Sequence, residues 1–563
     1  MSKHHSPQED NIYSSACIRA LEQEYCSSCS AAVVSSCIVS RGFGERLVSR
    51  IYNGGRRAVY TAAVGAMLAN NTALPAYGAG TYVSAGKTVT GATITSGNSQ
   101  IIYSAGVADS TTIYGGLQVV SPGGVATNTT MSRDGWQFVS SGGVASNTTI
   151  NPGGQRVSAG GVANTTIINS GGAQHLQSGG VANATTINSR GWQNVEGGGL
   201  ANGTTINSLG WLNVASGGVA SNTTINSGGH LGVSSGGVAN ETTIHSGGSQ
   251  NVYVGGVVSD TTIHDGGLQF VHFGGKTYNV RQHSGGKMFV IVSGGDAETY
   301  VEGTNASGEA FSLQNGKASN FILYSGGSQH VKSGGVASAT TIHGGAQYVS
   351  AGGEAFVTTI NGGEQYVSAS GVASATTIHG GAQYVSAGGT ALETIIHGGT
   401  QYVSAGGTAL ETTINGGNQD VSPGGVASNT TINEGGLQNV SSGAVVSATI
   451  VAGGTQNVSS GGKAYNVMQY SGGNINADVY GGDTETYVSG TNASGEAFTL
   501  QNGMASNFIL YAGGLQNVSS GGVASDILVA GGVQNVYSSG VASNTTLNSG
   551  AVNLYRGRSE ERR

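Results

Sequence analysis

The sequence predicts an all-β fold, a right-handed parallel β-helix (β-solenoid) of about 25 coils with about 18–19 residues per coil. Three observations predict it. A short motif recurs along almost the whole chain, pairs of glycines divide each repeat, and β-branched residues alternate between the glycines. The chain has 563 residues, with 100 Gly, 5 Pro and 9% charged residues. An average soluble domain carries roughly 25% charged residues and about 7% Gly. Glycine without a G-x-y triplet and with so little proline excludes collagen, and abundant Val, Ile and Thr supply a core that a disordered tail lacks.

The repeat is read by aligning the tripeptide Gln-x-Val. Gln stands at 100, 118, 137, 155, 174, 193, 250, 269, 329, 347, 365, 383, 401, 419, 438, 456, 516 and 534, and Leu212 and Leu231 fill two vacant places. Neighbouring positions are 18 or 19 apart; the gap of 57 from Gln193 to Gln250 and the gaps of 60 from Gln269 and Gln456 suit three turns each. Two residues after every one of these positions stands Val, Leu or Ile. Such a period is too short for paired-helix repeats and fits one solenoid turn. Helices are further disfavoured because each interior Gly costs about 1 kcal/mol.

Within the unit G-G-V-A-S-N-T-T-I-N-S-G-G-x-Q-x-V-S-S, the residues Val144, Ser146, Thr148 and Ile150 are expected on one strand face by period-two alternation. The Gln-x-Val segment, as at Gln383 and Val385, is a second strand. Glycine pairs form corners that need positive φ or close backbone approach. Turns stacked about 4.8 Å apart give a rod of roughly 120 Å, in which each residue rests on its counterpart. Gln on the inner face would form an amide ladder, while a local bulge would turn it outward, and the sequence alone leaves both open. Between Gln329 and Gln419 the period is a strict 18, with the deleted residue expected in a corner. A larger duplication repeats Gly303–Phe311 at Gly490–Phe498 and A-S-N-F-I-L-Y at 318 and 505, and is expected to be duplicated scaffold.

Three segments are expected: a leader-like 1–79, the repeats 80–555 and a charged tail 556–563. Arg56-Arg57, a short apolar run and small residues resemble a signal peptide that begins late. All four cysteines, Cys17, Cys26, Cys29 and Cys37, precede the repeats, which suits a protein that stays unfolded until it has crossed a membrane. Ala58 to Tyr555 holds 10 Lys+Arg against 21 Asp+Glu, a net of −11, which makes nucleic acid an unsuitable partner. No run of 18 apolar residues marks a membrane helix, and the C-terminus has no pattern of membrane β-strands.

The repeat V-A-S-N-T-T-I-N-S-G-G-x-Q-x-V-S-S-G-G resembles that of the AIDA-type self-associating autotransporter adhesins of Gram-negative bacteria, over residues 80 to 550. The resemblance implies a cell-surface, outer-membrane or secreted passenger that mediates adhesion, autoaggregation and biofilm formation, with self-association between like passengers and surface glycans as further partners. It implies O-linked heptose on Ser/Thr, added by a glycosyltransferase, and a translocator barrel, here expected to be encoded elsewhere.

No catalytic, cofactor or metal site is expected, and the protein is expected not to be an enzyme. Catalytic β-helices converge acidic groups with one raised pKa; the best cluster here is Asp296 and Glu298 with the copies Asp483 and Glu485, while Glu302, Glu309, Glu393 and Glu411 are dispersed. Cys26-x-x-Cys29 lacks a second pair, and the G-G-x-G-x-D calcium repeat is missing. Corner histidines His343, His379 and His397, with Asn361 and Asn415 at the equivalent corners of the other turns, are expected at the surface, although His379 and His397 belong to neighbouring turns and raise a weak metal site. The Thr-Thr pairs, as in Thr129-Thr130 and Thr223-Thr224, place one hydroxyl inward and one outward per turn, an outward rank that suits glycan acceptors but is one rank short of an ice-binding face. The Asn-x-Thr sequons at Asn128 and Asn147 are expected to be accidental. Tyr348, Tyr366, Tyr384 and Tyr402 form an outward stripe that could grip sugars or another rod.

Overall fold

The computed structural model describes residues 80–158, 160–555 and 558–560. Every regular element among them is a β-strand, and no helix there is long and apolar enough to cross a membrane. The expected leader and its cysteines lie outside the described residues. The strands form a β-solenoid of about 25 turns in which each coil pairs in parallel with the next. Gln137 pairs with Gln155, Gln155 with Gln174 and Gln174 with Gln193, so the repeat of the sequence is the register of the sheet.

One coil shows how the unit folds. Val144–Ile150 is a strand bent in its middle, and Gly153–Ser158 follows after a corner. Expectation fails for the face of the first half. Ala145, Thr148 and Ile150 are the buried residues, whereas Val144 and Ser146 point outward and are half-exposed. The cause is Asn147, whose φ of 54° places it in the left-handed region and slips the alternation by one residue. Asn tolerates this conformation better than most residues, and Asn128, Asn222 and Asn429 repeat it at φ 54–56°. The inner wall of each coil is therefore Ala, Thr, Ile, Gln and Val.

The two corner glycines serve different needs. Gly142 has φ 68°, which favours glycine, and has space around it. Gly143 lies so close to the preceding coil that a Cβ there would stand 2.6 Å from the Val120 carbonyl oxygen. The shorter coils lose their residue in the corner between the T-T-I and Gln strands, where Thr359–Val367 runs through as one nine-residue strand.

The long gaps that follow Gln269 and Gln456 hold two steps, not three. Gln269 pairs with Met288, and Val290 then pairs with Gln329, so one coil is about twice the usual length. Its extra residues form an antiparallel excursion, Tyr300–Thr304 against Ala310–Gln314, before Lys317–Ser319 rejoins the parallel stack at Val336–Ser338. Tyr487–Thr491 and Ala497–Gln501 repeat it. The duplicated motif is consumed in building this hairpin. A Cβ on Gly303 would meet the Val280 carbonyl oxygen at 2.1 Å, and Asn305 Oδ1 accepts the Ser307 and Glu309 N–H groups. Phe311 packs on Phe321 at 4.9 Å, both buried, and plugs the widened coil. Within the expected tail, Arg558–Glu560 pairs with Val541–Ser543.

Candidate functional site

The glutamines face inward, and every Gln of the Gln-x-Val positions is at most 2% exposed. Where Gln follows Gln in successive coils, the amide donates to the carbonyl of the previous coil, as Gln383 Nε2 does to Gln365 Oε1 at 2.7 Å. The inner Thr of each pair completes the ladder: Thr394 donates to Gln383 Oε1 at 3.2 Å, and Gln401 Nε2 reaches Thr394 Oγ1 at 3.1 Å. A buried primary amide is thereby satisfied on both ends. Leu212 and Leu231 interrupt it and leave Thr223 Oγ1, Thr242 Oγ1 and Gln250 Nε2 without a partner, and the breaks at Met288 and Ile475 likewise leave Gln269 Oε1, Gln329 Nε2 and Gln456 Oε1. The inner hydroxyls are thus structural, whereas Thr130, Thr149 and Thr224 face outward as expected.

Function must then reside on the outer faces. Tyr348, Tyr366, Tyr384 and Tyr402 do form a stripe, with ring centroids 4.9–5.1 Å apart and planes within 11°. His330, Phe289 and Phe270 extend it at 4.6–5.3 Å spacings. Rings stacked along the rod cover one another's faces and offer edges to solvent. The stripe therefore lacks the open ring face that a stacked sugar needs. Tyr366 donates to Glu364 Oε2 at 2.6 Å, and this bond pushes its phenol up to about 12.

The corner histidines also stack. His379 and His397 lie 5.2 Å apart with planes at 8°, and His343 rests on Tyr324 at 5.7 Å. Parallel imidazoles aim their lone pairs side by side, whereas metal ligation brings both nitrogens to about 2.0–2.1 Å from one ion. A second stack, His245, His264 and His283 at 5.2 and 5.0 Å, has no counterpart among the sequence expectations. Burial and then the two flanking imidazoles hold His264 below its usual value. Among the described residues no three His, Cys, Asp or Glu side chains are placed so as to hold one metal ion.

The acidic cluster is a turn. Asp296 is 2% exposed, and its Oδ1 accepts the N–H groups of Glu298 and Thr299 at 3.1 and 2.8 Å, while Glu298 is exposed. Burial would raise the copy Asp483, but hydrogen bonds from Thr486, Ser460 and the Glu485 N–H outweigh it and hold the carboxyl below its ordinary value. That is the opposite of what a general acid needs.

A further outward cluster also lay beyond the sequence expectations. Trp136, Trp192 and Trp211 are the three tryptophans of the chain, and all stand at the residue before the Gln position. The register runs Trp136, Gly154, Ala173, Trp192, Trp211, His230. Trp136 lies over Gly154, where a Cβ would meet the indole at 2.6 Å. It stacks on Phe138 at 5.8 Å and His175 at 6.2 Å, and His175 meets Trp192 edge-on at 4.6 Å. Beside them Arg156 donates to Gln177, and Gln177 donates to Glu196. The recurrence of tryptophan at one repeat position was the signal available in the sequence.

Four segments of the chain, 133–191, 190–248, 302–363 and 489–551, match the family model described as "Adhesin of bacterial autotransporter system, probable stalk". A solved fragment of TibA, hyper-glycosylated by TibC, is 37% identical over 53% of this chain and 89% of that one, with a TM-score of 0.34. The chain belongs to the bacterial autotransporter adhesin family. That assignment rests on the sequence matches, and the last two segments each take in one duplicated hairpin. No curated protein matches the chain.

Proposed function

We propose that this stalk is a surface-exposed passenger that causes adhesion, autoaggregation and biofilm formation by rod-to-rod association. The observation that carries the reading is the parallel register from one coil to the next, which sets equivalent outward positions in ranks along the solenoid. Two such ranks can meet through many weak contacts that sum by multivalency. Cell-surface, outer-membrane or secreted location is supported by the family and belongs to the same proposal. So does the absence of catalysis, supported by an acidic cluster that is spent on capping turns.

O-glycosylation by a partner glycosyltransferase is the second part of the proposal, supported by the modification of TibA by TibC. The geometry restricts its sites. A sugar on Thr129 or Thr148 would break the amide ladder, whereas Thr130 and Thr149 lie outside it. Expression on a non-aggregating Gram-negative host tests the first part: cells should settle from standing culture, and cells that stay suspended while displaying the chain would refute it. Intact mass from a host carrying the glycosyltransferase tests the second, and an unmodified mass would reject it.

A further inference from the structure

We propose that Tyr348, Tyr366, Tyr384 and Tyr402 are a site of oxidative cross-linking, where hydrogen peroxide acting through a haem peroxidase joins the phenols of adjacent coils as dityrosine. The proposal stands apart from the adhesin reading, since it concerns the covalent state of a single rod. The fold does not require tyrosine here. In the coils that follow, the same outward rank carries Asp420, Asn439 and Asn457 over the same inward Gln and Val.

The four phenols are in parallel register, Tyr348 on Tyr366, Tyr366 on Tyr384 and Tyr384 on Tyr402. Their planes are within 6–11° of one another at 4.9–5.1 Å between centroids, so like atoms of neighbouring rings face each other. Two phenoxyl radicals couple through the ring carbons beside the oxygen, and each such carbon has its counterpart one coil away. The rank is within reach of an oxidant: Tyr348 is 36% exposed, and the other three are half-buried with their edges toward solvent.

A phenol that loses an electron becomes strongly acidic, so oxidation is easiest where a base already holds its proton. Tyr366 donates to Glu364 Oε2 at 2.6 Å, a charge-assisted bond. Glu364 stands between Ala346 and Ala382 in the neighbouring rank, so no second side chain of that rank competes for it. The carboxylate takes the proton as the electron leaves, and the rings stacked on either side share the resulting radical. Each tyrosine gives up one electron and one proton, and one peroxide accepts both pairs and becomes two waters. The new bond joins the two ring carbons, and the hydrogens they carried move to the phenolic oxygens.

The full chain is treated with hydrogen peroxide and a haem peroxidase, denatured and digested with a glutamate-specific protease, and the peptides are read by mass. Cleavage after Glu354, Glu364, Glu393 and Glu411 leaves Tyr366 and Tyr384 together in 365–393, with Tyr348 and Tyr402 in separate peptides. Peptides joined through Tyr348–Tyr366 and Tyr384–Tyr402 are expected, together with 365–393 lighter by two hydrogens. Tyr384→Phe should remove the last two products and keep the first. Glu364→Gln should slow the Tyr366 products about tenfold, as loss of a positioned base does, and circular dichroism checks that each variant is folded. Tyr470 and Tyr480, 51% and 49% exposed, are the comparison. Absence of joined or lightened peptides overturns the proposal. So do products at Tyr470 or Tyr480 as abundant as those of the rank, which mark random surface oxidation. A rate indifferent to Glu364→Gln also overturns it, as does coupling only between chains, seen as dimers on a denaturing gel.

Discussion

Replacing Gln383 by Leu tests whether the amide ladder holds the stack together. Three hydrogen bonds disappear: Gln383 to Gln365, Gln401 to Gln383, and Thr394 to Gln383. Gln365 Oε1 keeps Thr376, and Gln401 Nε2 keeps Thr394 Oγ1, so the orphans are the Thr394 hydroxyl proton and one Gln401 N–H. At about 1–1.5 kcal/mol per bond the loss is about 3–4.5 kcal/mol. Burial of leucine carbons returns about 1–2 kcal/mol, leaving a net cost of about 2–3 kcal/mol. Stability in a solenoid is a nearest-neighbour sum, so the effect is local and is read by hydrogen exchange on the neighbouring strands Thr359–Val367 and Thr400–Val403. Exchange there should accelerate by roughly 30- to 150-fold. Acceleration below about threefold would refute the claim that the ladder, and not the apolar inner wall alone, fixes adjacent coils.

Restoring the ladder should do the opposite. Leu212→Gln with Leu231→Gln reconnects Gln193 to Gln250 and gives Thr223, Thr242 and Gln250 their partners, so protection of the intervening strands should rise by about 1–3 kcal/mol. Val357 is a β-branched residue at φ 54°, and Val357→Gly should stabilise its coil by about 1 kcal/mol, measured the same way. Phe311→Ala empties the plug of the hairpin coil and should cost about 3–5 kcal/mol, seen as early proteolysis near residues 300–320. His264 titrates below 6.5 in the fold, so the unfolded chain binds its proton more tightly. The contribution is present above pH 6.5 and is lost as pH falls below it. Opening around His245–His283 should therefore increase between pH 7.5 and 5, and His264→Asn should flatten that dependence.

The duplicated hairpins and the tryptophan cluster show what a repeat can absorb. A coil can double its length wherever a plug such as Phe311 or Phe498 fills the added width. The outward rank that precedes the glutamines bears no amide ladder and is open to replacement, so Gly154 and Ala173 can sit where other coils carry Trp or His. The same freedom allows seven aromatic rings to stack from Phe270 to Tyr402 without disturbing the glutamines beneath them.

The sequence by itself determined the solenoid, its period and its corners, because a motif that recurs at a nearly constant interval is the register of a parallel stack. It also determined that one threonine of each pair is buried, since strand side chains alternate. It misplaced Val144 and Ser146, because a single left-handed residue at Asn147 inverts the alternation, and φ is not written in a hydropathy pattern. It counted three turns where there are two, since the antiparallel return of Ala310–Gln314 depends on pairing between distant segments. Only the tertiary structure decided that glutamine faces inward, where a neighbour one coil away satisfies its amide, and that Trp136 meets His175 two coils later. Both are contacts between residues that lie far apart in the chain and are brought together by the stacking of coils.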